Sequence, residues 1–102
     1  MLATLTVNDF KDKLQQSFSV SWPGCAQPVL LTLVEVQEQP GRGERPGQRQ
    51  PFSLMLLGPP QASLHQDTYQ VAAPGMPLLE LFIVPLGPAP QSTAMRYQVL
   101  FN

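Results

Sequence analysis

His65 is the first residue to consider for chemistry, because histidine is the side chain that most readily changes charge near neutral pH. It is the only histidine in the chain, and Asp67 lies close to it in sequence. A catalytic group needs an activating partner at the right distance, and a metal site needs several His, Cys or carboxylate ligands. One histidine and one cysteine cannot supply a His/Cys ligand set. We therefore interpret His65 as an exposed loop residue and predict no catalytic residue, metal or cofactor.

Cys25 is the single cysteine, so it cannot form a disulfide within the chain. A reactive thiolate needs a nearby cation or a helix N-terminus. The nearest charged residues in sequence are Lys13 and Glu35, which are distant along the chain. The pattern favours a small loop or core residue rather than a nucleophile.

Glu35 and Glu80 differ from the other carboxylates because each lies within an apolar strand-like run. Together in a cavity they would act as acid and base. Alternation along a strand more often turns such residues to solvent, where Arg96 can pair with either of them. We predict a structural pair between Glu80 and Arg96. An enzyme using Glu35, Glu80, Arg96 or His65 is the third of three functional hypotheses.

Half of the basic residues fall in one Gly- and Pro-rich segment, residues 38–50, at positions Arg42, Arg45 and Arg49. They are candidates for contacting phosphates or an acidic partner. The segment lacks the spacing of a phosphate-binding loop and has no interleaved aromatic residue for base stacking. We interpret it as a mobile, solvated loop between two strands.

The composition excludes several classes of partner. The chain has 102 residues, 43% hydrophobic and 13% charged, with a net charge of −1. Its length predicts a single domain over residues 1–102. A nucleic-acid or anionic-membrane binder needs a basic excess, whereas a charge near zero permits self-association. We see neither a signal peptide nor an apolar run long enough to span a membrane, which predicts a soluble, cytoplasmic protein.

The hydrophobic pattern predicts a mainly β protein, either a small antiparallel barrel or a sandwich of about six strands with one short N-terminal helix. Two apolar runs end at the same dipeptide, Gly58-Pro59 and Gly87-Pro88, which we interpret as strand stops. Pro85 should end its strand or lie at an edge or a bulge. The predicted strands cover residues 17–22, 29–37, 51–57, 67–73, 78–85 and 94–101.

The helix is predicted over residues 6–16. Thr6 is a candidate N-cap, with Asp9 three residues later. Val7, Phe10 and Leu14 fall on one face of such a helix and should dock on the sheet.

Several strands carry apolar residues on both faces, and a small sheet cannot cover both. The leading hypothesis is therefore a non-enzymatic structural or interaction module that binds a protein partner or a second copy of itself. The C-terminal strand, ending at Phe101, is a further candidate edge for strand addition. The candidate interaction surface comprises Met55, Leu57, Phe82, Val84, Arg42, Arg45 and Arg49.

The alternative hypothesis is a barrel that binds a small ligand in its interior. The cavity would be lined by four side chains: Phe82, Tyr69, Tyr97 and Met55.

The whole chain resembles a family of uncharacterised bacterial domains of similar length. The matching features are the helix with Phe10, the motifs at residues 31–36, 51–59, 66–69 and 80–88, and the C-terminal run from Met95 to Asn102. The resemblance implies no catalytic residues. Relatives are encoded near phage-tail-collar-like proteins, which implies a role as a phage-tail-like or secretion accessory.

Overall fold

The computed structural model describes residues 7–38, 51–61 and 64–101. Six strands pair antiparallel in the order β1-β2-β3-β6-β5-β4, and β4 pairs with β1 to close the barrel. This confirms the predicted mainly β class and selects a barrel rather than a sandwich. The elements are α1 (Val7–Lys11), β1 (Ser17–Ser21), β2 (Val29–Glu38), β3 (Phe52–Gly58), β4 (Asp67–Ala72), β5 (Leu79–Pro88) and β6 (Met95–Phe101).

The helix is shorter than predicted, because the chain turns toward β2 after Lys11. Gln15 adopts a left-handed φ of 71°, which an α-helix cannot contain. Its N–H donates to the Leu33 carbonyl at 2.7 Å, and the Leu33 N–H donates to the Gln16 carbonyl at 3.1 Å. Sheet-like bonds to β2 thus replace the last turns of the predicted helix. The proposed cap, Thr6, lies outside the described residues.

The predicted apolar stripe of the helix is confirmed at Phe10 and wrong at Leu14. Phe10 is fully buried, and Val7 packs against the core from a half-buried position. Leu14 belongs to the turn that follows the helix and is 40% exposed. The apolar pattern predicts burial only as far as the helix extends, because beyond its end helical spacing no longer determines which side chains face inward.

Inward-facing side chains fill the barrel with one continuous apolar core. Each strand contributes alternate residues, as the period-two pattern predicts. The fully buried strand residues are Phe18, Val20, Leu31, Leu33, Leu54, Leu56, Val71, Ile83 and Tyr97.

A bulge in β2 explains why its pattern appeared apolar on both faces. Leu33 pairs with Leu56, but the next partner of β3 is Glu35, so Val34 is the extra residue. The extra residue reverses the facing of the strand beyond it. Val36 therefore packs against the core while Glu35 remains exposed.

A second bulge interrupts β5, which continues to Pro88 rather than ending at residue 85 as predicted. The register with β6 shifts between Pro85 and Gly87. This confirms the expectation that Pro85 lies at a strand end, an edge or a bulge. Gly87 has a φ of +88°, a conformation that side chains disfavour. Gly87 thus supplies the bulge, and the strand ends at Pro88, the second residue of the predicted Gly-Pro stop.

Four phenylalanines close the barrel at the end where α1 packs. We call Phe10, Phe18, Phe52 and Phe101 the phenylalanine cluster. The Phe52 and Phe101 rings stack with centroids 4.6 Å apart, and the Phe10 ring lies 5.2 Å from Phe101 and 5.8 Å from Phe52. On the surface beside the cluster, Lys11 forms an ion pair with Glu38 at 3.1 Å.

The predicted edge role of β6 needs correction, and most of the predicted loop over residues 38–50 lies outside the described residues. β6 is not an edge strand along its whole length, because it lies between β3 and β5, but its register with β5 covers residues 95–98 and stops before residues 99–101. Of the predicted loop over residues 38–50, Glu38 is the last residue of β2. Arg42, Arg45 and Arg49 lie outside the described residues.

Candidate functional site

A cleft of about 670 Å³ opens at the barrel end opposite the phenylalanine cluster. It lies where β1 ends and β4 begins, and the segment leading into β4 forms one wall. We call it the tyrosine cleft, lined by Trp22, Pro23, Leu64, His65, Asp67, Thr68 and Tyr69. This volume is within the range of small-ligand sites.

Two tyrosine hydroxyls hold the wall of the tyrosine cleft. The buried Leu64 N–H donates to the Tyr97 hydroxyl at 3.1 Å. The Tyr69 hydroxyl donates to the His65 carbonyl at 2.7 Å. Irregular backbone over a barrel end needs partners for its polar groups. The two hydroxyls supply them from side chains whose rings lie in the core.

Gly58 makes room for one of these rings. A Cβ at this position would lie 2.5 Å from the Leu31 Cδ2 and 3.2 Å from the Tyr97 Cε2. Gly58 therefore has a packing role at the end of β3, beyond the strand stop that the sequence indicates. The two Gly-Pro pairs serve different purposes, since Gly87 forms a bulge and Gly58 accommodates a ring.

An aromatic pair and a carboxylate define the chemistry of the tyrosine cleft. The Trp22 and Tyr69 rings meet edge-to-face, with centroids 5.7 Å apart and planes at 72°. Asp67 Oδ1 accepts the Thr68 N–H at 2.7 Å. Burial raises the pKa of Tyr69 above 10.0, and the charge of Asp67 raises it further, against the opposing effect of the bond to His65. The cleft is thus negatively polarised beside an aromatic wall.

His65 is exposed, as predicted for a loop histidine, and it lines the tyrosine cleft. Cys25 is a free, half-buried thiol in the turn after β1 and is not part of this lining. Within the described residues, no group of three or more His, Cys, Asp and Glu is placed to hold a metal ion.

The predicted acid–base residues do not converge. Glu35 on β2 stands opposite Met55, and Glu80 on β5 stands opposite Gln70. Arg96 stands opposite Gly87, at the far end of β5 from Glu80. The predicted pair of Glu80 and Arg96 therefore does not form, because the register separates them. The Arg96 Nη2 instead donates to the Leu86 carbonyl at 3.4 Å, and its buried Nε has no hydrogen-bond partner among the described residues.

The four side chains predicted to line an interior ligand cavity do not surround a common cavity. Tyr97 is fully buried in the core and Tyr69 closes the end of the barrel. Met55 stands opposite Gln98, and both face outward with Phe82. The filled core separates the inner pair from the outer pair.

The candidate interaction surface lies on the outside of the barrel. Phe82 is 51% exposed, whereas Met55, Leu57 and Val84 are half-buried. Leu100, on the neighbouring β6, is 58% exposed.

A break in strand pairing lies beside Phe82 and Leu100. The register between β5 and β6 covers residues 84–88 and 95–98. Below it, residues 79–83 pair with β4 and residues 99–101 pair with β3. A cleft of about 260 Å³ lies between the two strands, and both Phe82 and Leu100 line it. We call this opening the β5–β6 seam.

The sequence pattern did not identify the tyrosine cleft, although it carried part of the signal. Alternation along β1 places Trp22 on the same face as Phe18 and Val20, and Tyr69 alternates inward on β4. The pairing of β1 with β4 brings the two rings together. That pairing depends on barrel closure, which local patterns do not encode.

The fold and its sites define a small closed antiparallel β-barrel domain. A family model matches residues 5–101, and the chain belongs to this family, the domain of unknown function DUF6916. The predicted resemblance to an uncharacterised family is therefore confirmed. Comparisons with curated proteins and with solved structures find no match. Among the described residues, no helix is long and apolar enough to cross a membrane.

Proposed function

We propose that this domain is a non-enzymatic protein-interaction module whose binding face is the outer surface of β5 and β6. The observation that carries the proposal is the pair Phe82 and Leu100, two large apolar side chains more than half exposed beside one cleft. The core is filled without them. Clustered apolar side chains at a surface mark interaction sites, whereas isolated ones need no explanation.

The β5–β6 seam favours an extended polypeptide as the occupant. Along a strand, successive backbone groups point alternately to its two neighbours. Residues 79–83 follow β4 on one side and leave the register with β6 on the other. An extended segment can supply both main-chain hydrogen bonds and side chains that contact Phe82 and Leu100.

The charge distribution supports a protein partner over a nucleic acid. Among the described residues, the lining of the β5–β6 seam contains Glu80 and no lysine or arginine. The net charge of −1 provides little repulsion between copies, so a second copy of the chain is one source of the extended segment.

A role as a phage-tail-like or secretion accessory is a more specific form of the proposal. It is supported by the family resemblance and by the general suitability of a small barrel for docking within an assembly. The proposed module would then join two components by strand pairing at the β5–β6 seam.

Site-specific photocrosslinking tests the binding face. Phe82 is replaced by benzoylphenylalanine, and the protein is irradiated in cells that naturally express it. Leu30 provides a matched control, because it is 56% exposed on the outer face of β2, away from the seam. We expect one defined adduct from position 82, mapped by mass spectrometry to an extended segment, and none from position 30.

A second variant tests the role of the apolar pair itself. With the photoreactive group at Val84, the double substitution Phe82→Ser and Leu100→Ser should abolish the adduct, whereas Leu30→Ser should leave it unchanged. Equal labelling from positions 82 and 30, or an adduct that survives the double substitution, would contradict the proposed face.

A further inference from the structure

The tyrosine cleft combines an aromatic wall with a carboxylate that no lysine or arginine of the described lining neutralises. Trp22 is half-buried beside Tyr69, and their edge-to-face contact engages one face of only one ring. Trp22 also packs partly against the core, and the part of its ring that lines the cleft is the aromatic surface that a ligand can reach. Leu64 and Pro23 extend the apolar part of the wall.

Asp67 supplies the charge. Its carboxylate is exposed and accepts one backbone hydrogen bond, from Thr68. An ion pair between Lys11 and Glu38 lies at the other end of the barrel. The described lining contains no lysine or arginine, and His65 is its one basic residue.

We propose that the tyrosine cleft binds an alkylated ammonium group. Such a cation is attracted by the face of an aromatic ring, above all tryptophan, and by a carboxylate. Its alkyl substituents also suit the apolar wall, and its weak hydration makes transfer from water less unfavourable than for a bare ammonium. An anion would meet the Asp67 carboxylate, and a neutral apolar ligand would leave that charge desolvated.

The raised pKa of Tyr69 is consistent with this assignment. One of its causes is the charge of Asp67, which acts on the phenol from within the same cleft. The charge of Asp67 disfavours a phenolate and favours a positive charge in the same place, whereas the burial that is the larger cause of the shift disfavours a charge of either sign.

Fluorescence titration tests the proposal directly, because Trp22 is the only tryptophan of the chain and lines the cleft. The probes are choline and 3,3-dimethylbutanol, its neutral carbon analogue. We expect choline to change the Trp22 emission in a saturable way and the neutral analogue to have little effect. Asp67→Asn preserves the shape of the side chain and should weaken choline binding by about fivefold, as expected for one exposed charge pair.

Asp12→Asn is the matched control, because Asp12 is an exposed carboxylate in the turn after α1 and the substitution changes the net charge equally. It should leave choline binding unchanged. Thermal unfolding should verify that both variants are folded. Failure of choline to bind, equal binding of choline and its neutral analogue, or equal effects of the two substitutions would each overturn the proposal.

A third probe, the amide of N-acetyl-trimethyllysine, distinguishes a cation on a modified polypeptide from a cation on a small molecule or a lipid headgroup. Tighter binding of this amide than of choline would support the site and assign the cation to a modified polypeptide. Tighter binding of choline would support the site and assign it to a small molecule or a lipid headgroup.

Discussion

The two ends of the barrel are closed by different chemistry. At one end, the rings of the phenylalanine cluster pack against each other and need no polar partner. At the other end, Tyr69 and Tyr97 use their hydroxyls to hold the backbone of residues 64 and 65. Ring packing fills the interior of its end, whereas hydrogen bonding fixes a wall at a distance and leaves the tyrosine cleft open. The difference separates an end whose interior is sealed by its own rings from an end whose interior opens into a cleft.

Removing the centre of the phenylalanine cluster should have the largest effect on stability. Phe10 is fully buried and contacts three other rings. Phe10→Ala should lower the free energy of unfolding by about 3–5 kcal/mol, because it removes apolar contacts and leaves a cavity. Chemical denaturation measures the loss. Leu14→Ala, nearby but 40% exposed, is the control and should change stability little.

The same variant tests the independence of the two ends. Residual choline binding in Phe10→Ala, measured where the protein remains folded, should match the unaltered chain. A loss of binding in proportion to stability would contradict the division between a structural and a binding end.

The tight packing at Gly58 should give the next largest effect. Gly58→Ala places a methyl group against Leu31 and Tyr97 and should destabilise the fold by about 1–3 kcal/mol through overpacking. In a double-mutant cycle with Leu31→Ala, the double variant should be destabilised by less than the sum of the two single substitutions, because Leu31→Ala removes the closest contact. Additive effects of the two substitutions would contradict the steric explanation.

Tyr69→Phe should have the smallest effect, and its pH dependence is the informative quantity. Loss of the hydroxyl bond to the His65 carbonyl should destabilise the fold by about 0.5–1.5 kcal/mol. The pKa of Tyr69 is raised in the folded protein, so the unfolded chain ionises first as the pH rises above 10.0. The stability that comes from this shift is complete below that pH and decreases above it.

Unfolding measured from neutral to strongly basic pH tests this linkage. The unaltered chain should lose more stability above pH 10.0 than Tyr69→Phe does, because the variant lacks the titrating phenol. Identical slopes for the two proteins would exclude Tyr69 as the group responsible.

The sequence predicted the strands well because their signal is local. Alternation at Phe18 and Val20, and the turn residues between runs, depend only on neighbours in the chain. The predicted helix was too long because the competing partner of Gln15 is Leu33, on a strand that local spacing cannot locate. Tertiary hydrogen bonding replaced helical propensity at that point.

The candidate sites were less predictable, because they depend on register. The predicted pair of Glu80 and Arg96 fails because Arg96 lies near the start of β6, opposite Gly87, whereas Glu80 lies near the start of β5. Phe82 was recognisable as a second-face residue of its strand. Its proximity to Leu100 at the β5–β6 seam required the order of strands.

The place of β6 in the barrel has a consequence for synthesis. It is the last of the six strands to leave the ribosome, yet it lies between β3 and β5 rather than at a border of the sheet. Until it arrives, β3 and β5 each expose an unpaired flank of the kind that promotes association between nascent chains. The barrel therefore closes only after this segment has been translated. A premature stop before Met95 leaves β3 and β5 with unpaired, aggregation-prone edges instead of producing a slightly smaller barrel.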